Sequence, residues 1–348
     1  MRIALGILAW NEERTIGQTI ASLAQQTLIK CLGQDLESLQ IICVPNGCSD
    51  GTSHVAAQAL EELRCNVGHP SLAWQVRDLA QSGKANAWNH FVHEYADPNA
   101  DYLILMDADV TLYGEATLEL LVRRLERDRH ALVATPRFIK NIALHTHKSL
   151  SDRLSLAVSA LKKGQAGIAG GLYCARAGAL RRVWMPLGLL VEDGFLRAMI
   201  LTQGFRQREE FRRIVCVEDA GLVFEAYRTP RRWFHHERRL VMGMAMNTML
   251  FRMIAALPLE VDPGEWIRTR NTVNPDWVAQ TVGENARQCY WVMPRGTIFG
   301  KLRRIRQMGI ARAALWLPIA VVAFLCDVPV FIAANARLRK PQIQGAWR

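Results

Sequence analysis

The chain has 348 residues, half of them hydrophobic and 22% charged, which suits one large domain with its own core plus a smaller appendage and excludes a disordered chain. Of the 43 basic residues 35 are arginine, and the formal net charge is +11. That field fits a polyanionic partner such as nucleotide phosphates or an anionic membrane face; no nucleic acid is expected, because the arginines are scattered or flank apolar segments and no nucleic-acid-binding motif accompanies them.

In chain order, residues 3–10 are an apolar run of strand length, followed by "NEERTIGQTIASLAQQTL" with Ile16, Ile20, Leu23 and Ala24 on one helical face. "LQIICV" (39–44), the turn "PNGCSDGT" (45–52) and the helical "SHVAAQALEEL" repeat this grammar, and a less regular third unit runs through "LAWQVRDL" (72–79) and "QSGKANAWNH" to "YLILM". Strands alternating with helices predict an α/β fold with a parallel sheet covered on both faces. In such sheets ligands sit beyond the carboxyl ends of the strands, where Asn11, Asn46, Asp50 and Asp107 all fall.

After "ALVATPRF" (131–138) the pattern reads as helical, with a Gly-rich turn in residues 167–183, then "LLVEDGFLRAMIL", a strand-like "AGLVFEAY" and a basic-aromatic "RTPRRWFHHERRL". Residues 240–260, rich in Met and Leu, read as an amphipathic helix in a core or at a membrane interface, and 261–300 as a polar connection. Residues 301–348 form an apolar segment flanked by arginines at both ends. The stretch 313–336 is long enough to cross a hydrocarbon core of roughly 30 Å. Asp327 between Pro318 and Pro329 leaves a single span, a re-entrant hairpin and a soluble helix pair all open. The eight cysteines form no CxxC pair and no zinc-like spacing, so free thiols are expected, and no secretory signal peptide is apparent.

Four stretches offer chemistry. Asp107 and Asp109 in "LILMDADV" share a strand face if the strand continues, and so could converge on one hard cation; a solvated strand end fits equally. In "NGCSDGT", Asp50 is either an acceptor for a base or ribose or a helix cap. "SGKANAWN" places Lys84 on a phosphate or simply starts a helix. "VEDGFL" sets Glu192 and Asp193 in an apolar frame, as a general base for a hydroxyl or as a helix cap.

Taken in order, "AWNEERTIGQTIASLAQQ", "NGCSDGT", "GKANAWN", "LILMDADV", "AGGLYCARAGAL", "VEDGFL" and "HHERRLVMG" resemble the inverting glycosyltransferase family 2 of the bacterial membrane-associated type, over about residues 1–245. The resemblance implies a GT-A, Rossmann-like mixed sheet flanked by helices as a catalytic domain over 1–239, with the C-terminal apolar helical segment on the membrane. It implies an enzyme that moves one hexosyl unit from a nucleotide-diphospho-sugar, a UDP-sugar foremost, to a hydroxyl of a lipid-linked or envelope glycan, at the cytoplasmic face of the bacterial inner membrane.

Position by position, the resemblance puts Ala9, Asn11, Glu13, Asn46, Asp50, Lys84 and Asp107 beside the nucleotide sugar. Asp109 with Asp107 would hold Mn²⁺ or Mg²⁺, Asp193 would be the base beside Glu192, and Gly170, Gly171, His236 and Arg239 would line the diphosphate and acceptor. Two departures are visible. Asn46 stands where the family often has Asp, and "HERRL" replaces a Q-x-x-R-W motif, with His236 for Gln and Leu240 for Trp; a second register would use Arg232-Trp233. The loss of that Trp argues for single transfer over processive synthesis. A catalytically degenerate GT-A scaffold or glycan-binding subunit at the membrane is the other reading, against which stand the retained Asp50, Asp107, Asp109 and Asp193.

Overall fold

The structure is a computed structural model that describes residues 1–149, 152–153, 155–157, 167–168, 170–225, 229–294, 296–305 and 310–340. Residues 341–348 and Arg306 of the expected C-terminal segment lie outside the described residues. Strands β1 (Arg2–Ala9), β2 (Ser38–Pro45), β3 (Leu72–Val76) and β4 (Tyr102–Asp107) pair in parallel, in the order β3-β2-β1-β4. Strands β5 (Thr111–Tyr113), β6 (Val133–Lys140), β7 (Leu172–Arg176) and β8 (Ile214–Phe224) extend the sheet as β7-β6-β8-β5, with β7 antiparallel to β4. The sheet is therefore mixed, as the resemblance implied, and only its N-terminal half is the all-parallel sheet that the alternation alone predicts.

β1 is buried along almost its whole length because both faces of the sheet are covered. Its alternation assigns Ile3, Leu5 and Ile7 to one core and Ala4 and Leu8 to the other. The first core is closed by helices α1 (Ile16–Leu23), α2 (Thr52–Val67) and α4 (Thr117–Arg127); the second by α3 (Lys84–His90), α5 (Glu192–Thr202) and α6 (Pro230–Ala255). At Gly6 a methyl would meet the Phe91 ring at 2.7 Å, so this glycine lets the ring lie flat on β1.

Three sequence expectations need correction. Within 167–183, read as helical around a turn, Leu172–Arg176 is a strand; flanked by Gly and Ala it carries a weak signal, and burial on both faces decides the conformation. The helix expected over 240–260 begins at Pro230, where Thr229 accepts from the Arg232 N–H as its cap, so the boundary at 239 falls inside an element. Its Val241, Met242, Met246 and Leu250 are buried in the second core, one of the two settings its composition left open.

The "polar connection" contains two helices, α7 (Pro263–Val273) and α8 (Trp277–Gln288). Asp262 caps α7 by accepting from the Glu265 N–H at 2.9 Å, with Pro263 in the first turn, and Trp277, 2% exposed, bonds Asn271 Oδ1 at 2.9 Å. The apolar tail is one helix, α9 (Ile310–Leu338), continuous through Pro318 and Pro329. No glycine or asparagine lies between those prolines to reverse the chain, and a proline alone removes one donor without ending a helix whose other bonds persist. Trp316–Leu338 is long and apolar enough to cross a membrane, with mean hydropathy 2.3. One face packs along α6 through Val330, Phe331, Ala334 and Leu338, and Asn335 ties it to the backbone of Tyr290 and Val292. Leu317, Val321, Val322, Leu325 and Ile332 are exposed.

Candidate active site

The carboxyl ends of β1, β2 and β4 bring three loops together. Past β1, Asn11 adopts a left-handed conformation (φ 55°), which Asn tolerates better than most residues. That turn lets its Oδ1 accept from the Ser49 N–H at 2.8 Å, while Glu13 Oε2 accepts from Gly51 N–H at 3.1 Å. In return the N–H of Glu13 donates to Asp50 Oδ2 and the N–H of Glu12 to Thr52 Oγ1. Asp50 Oδ1 also accepts from the N–H of Thr52, the first residue of α2. The first and second loops are thus clasped by hydrogen bonds running both ways.

Asn46, expected beside the nucleotide, is 3% exposed and its amide is spent on the protein. Nδ2 donates to the Ala9 carbonyl at 2.7 Å and Oδ1 accepts from the Gly83 N–H at 3.0 Å. It joins the end of β1 to the start of α3 and so acts as scaffold; Ala9, itself buried, contributes that carbonyl.

β4 ends at Asp107, and Asp109 lies in the turn beyond it, so the shared strand face on which the metal argument stood is absent. The turn is instead held by buried Thr19 of α1, whose hydroxyl donates to the Ala108 carbonyl at 2.8 Å. Asp109 is exposed and its carboxylate makes no hydrogen bond or ion pair among the described residues. Glu12, a residue that sequence reasoning passed over, feels the charges of Asp109, Asp107 and Asp50: burial first, then these neighbours, raise its carboxyl above the usual range. Four carboxylates therefore make this mouth electronegative. Among the described residues no group of three or more His, Cys, Asp or Glu side chains is placed to hold a metal alone, so a cation here would draw on Asp109 and Asp107 and take its other ligands from the substrate.

Lys84, in the first turn of α3, forms the centre. Its Nζ lies 2.6 Å from Asp107 Oδ1, 3.0 Å from Glu192 Oε1 and 3.3 Å from the Gly170 carbonyl. Burial opposes its charge, but the two carboxylates outweigh burial and raise its pKa. Burial pushes Asp107 up to about 6 against the pull of Lys84. Burial also works against ionised Glu192, yet Lys84 and, more weakly, Arg239 hold it below the usual glutamate range. Asp193 next to it is raised, by burial first and the Glu192 charge second, with its Oδ1 accepting from the Gly194 N–H at 2.7 Å. One carboxyl of the pair stays ionised and the other is poised closer to neutrality, an arrangement suited to accepting a proton.

Two glycines admit this contact. A methyl on Gly170 would stand 3.1 Å from Lys84 Nζ, and Gly171 gives its carbonyl to the Asp107 N–H at 3.0 Å. Arg239 and His236 lie on α6, Arg239 exposed and close enough for its charge to reach Glu192. On the same helix Gly243 abuts Val191, and Asn247 donates to the Val191 carbonyl at 2.9 Å, fixing the segment that enters the acidic pair. Asn247 was visible in sequence only as a polar break in an apolar helix.

The arrangement brings the Lys84 ammonium, Asp107, Glu192 and Asp193 together beyond the strand ends, within reach of the charge of Arg239. The sheet and its flanking helices are the GT-A arrangement. A mannosyltransferase from Pyrobaculum calidifontis, solved with GDP-Man and Mn²⁺, is similar at 17% identity and a TM-score of 0.57, over 98% of this chain and 88% of that one. S. aureus TarS 1-349 (13%, TM-score 0.48, 98% and 92%) and glucosyl-3-phosphoglycerate synthase from Mycobacterium tuberculosis with Mg²⁺ and UDP (18%, TM-score 0.45, 74% and 81%) are more distant in shape. No curated protein matches the chain. The family model for glycosyl transferase family 2 matches residues 5–184, over half of the chain, and the protein belongs to that family of glycosyltransferases.

Proposed function

We propose that the chain is a cation-dependent, inverting hexosyltransferase that moves one sugar from a nucleotide-diphospho-sugar to a hydroxyl of a lipid-linked or envelope glycan at the cytoplasmic face of a membrane. The observation that carries this reading is the convergence of Lys84, Asp107, Glu192 and Asp193 beyond the carboxyl ends of the parallel strands. Support for the donor class comes from the fold shared with the P. calidifontis enzyme and its GDP-Man and Mn²⁺; the base of the nucleotide is left to experiment, since Asn46 is turned inward.

Asp109 and Asp107 would hold Mn²⁺ or Mg²⁺, which when bound offsets charge on the departing diphosphate. Lys84 orients Asp107 and Glu192 and adds a positive charge beside the phosphates, and Arg239 approaches from α6. Asp193 accepts the proton of the acceptor hydroxyl; the oxygen bonds to the anomeric carbon as the bond from that carbon to the diphosphate oxygen breaks, and attack from the opposite side inverts the centre. Membrane association is supported by the exposed apolar ridge of α9 and the arginines beside it.

The test is a panel of nucleotide sugars, scored by nucleoside-diphosphate release in detergent with Mn²⁺ or Mg²⁺. One donor should turn over, with loss on chelation and in Asp109→Ala. Release unaffected by both would sink the cation-dependent reading.

A further inference from the structure

A second cavity, of about 490 Å³, opens at the other end of the sheet. Arg176 lies on its wall and pairs in register with Tyr102, the first residue of β4, so this is the strand end away from Asp107. Met199, Ile200 and Gln203 line it from the C-terminal end of α5, whose N-terminus carries Glu192 and Asp193; a helix of eleven residues sets the two sites about 16 Å apart.

Three arginines, Arg176, Arg182 and Arg206, and one carboxylate, Asp262, are the charged residues of the lining. Asp262 is already occupied in capping α7. Arg176 donates to the carbonyls of Leu125, Asp128 and Ala131, and Arg206 to those of Leu257, Pro258 and Val261. Neutral carbonyls fix both guanidinium planes without cancelling their charge, and none of the three arginines forms a salt bridge among the described residues. Arg182 is exposed and its side chain makes no hydrogen bond among the described residues. Three positive charges less one negative leave a surplus of two, beside apolar walls from Val183, Met199 and Ile200. A concave site of this volume, mostly apolar with a few fixed polar groups, is the usual form of a small-molecule pocket. A phosphate monoester carries close to two negative charges at neutral pH and takes a forked contact from a guanidinium whose donors are unengaged, as those of Arg182 are among the described residues, while Arg176 and Arg206 add fixed charge.

We propose that this cavity is a second ligand site, separate from the donor site, for a phosphate monoester carrying a short apolar body. The assignment rests on the cavity alone and holds whatever sugar the enzyme transfers.

Octyl phosphate is titrated into the full chain by calorimetry, with inorganic phosphate and octyl glucoside in parallel. Saturable octyl phosphate binding is expected, at least about tenfold weaker for inorganic phosphate and undetectable for octyl glucoside. Arg182→Glu should weaken octyl phosphate binding by about tenfold or more, and Arg182→Ala by less, with thermal unfolding of the free proteins unchanged because Arg182 supports no other group. Equal binding by wild type and Arg182→Glu, equal binding of octyl glucoside, or displacement of octyl phosphate by a nucleoside diphosphate would each overturn the assignment. The last would place the phosphate at Lys84.

Discussion

Lys84 and Asp107 are joined by a 2.6 Å ion pair across the junction of α3 and β4, and the same ammonium reaches Glu192 of α5 at 3.0 Å. One cation thus holds two carboxylates that would otherwise repel. Lys84→Met should cost about 1–3 kcal/mol, below the full penalty of a wholly buried pair because the partners are partly exposed, and should raise the donor KM by about tenfold or more. Lys84, its pKa raised, adds stability that is complete below the ordinary lysine pKa and lost only as pH rises through the raised value. Glu192, its pKa lowered, adds stability above the ordinary glutamate range that is lost as pH falls through the lowered value. Asp107, held up at about 6 even beside Lys84, rises further without it, so urea unfolding should show a gap to wild type that narrows as pH falls from neutral into acid. A gap that opens toward acid contradicts this account.

Asp193→Asn should lower kcat by about 10²–10⁴-fold while donor binding persists. Asp193 has a raised pKa, so its stabilising effect is complete only below the ordinary aspartate pKa and is lost as pH rises through the raised value. At pH 7 the variant should melt at the same temperature as wild type or about 1–3 °C higher. The acid limb of wild-type kcat/KM should lie above the ordinary aspartate range; a limb at that range removes Asp193 from the role.

A methyl on Gly243 would overlap the Val191 side chain and stand 3.1 Å from the Val191 nitrogen. Gly243→Ala should cost about 1–3 kcal/mol and lower kcat more than it changes donor affinity, since it pushes α6 from the segment leading into Glu192 and Asp193. Gly283→Ala, where no atom lies within 4 Å, is the control and should be neutral or stabilising by about 0.5–1 kcal/mol. Thermal melts and product-release assays separate the two, and equal behaviour would mean that helix contact is not what sets the pair.

Vesicle flotation with anionic lipid checks the membrane reading. Val321→Glu with Leu325→Glu, both on the exposed side of α9, should cut binding by about tenfold or more and leave the melting temperature unchanged. Retained flotation would require another contact surface.

The place of the candidate site in the fold was legible, because it lies on loops at strand ends, and strand-helix alternation marks those ends in sequence. Asp50, Lys84 and Asp107 each fall there. The bonds of the Asn46 amide to Ala9 and Gly83 were not legible, because an amide in a turn looks the same whether it faces solvent or the protein. Thr19 and Asn247 were missed since each acts across a long gap in sequence, on Ala108 and Val191. β7 and the two helices after residue 262 escaped for a different reason: their packing partners lie far away along the chain, and their local composition resembles that of loops.

The clasp between the first two loops has an evolutionary corollary. Asn11 accepts from the Ser49 N–H, Glu13 from the Gly51 N–H, and Asp50 from the Glu13 N–H, so each bond needs the side chain of one loop and only the backbone of the other. Relatives of this chain should keep an acceptor at positions 11, 13 and 50 while position 49 varies, and a variant library randomising those three positions should retain fewer active members than one randomising position 49.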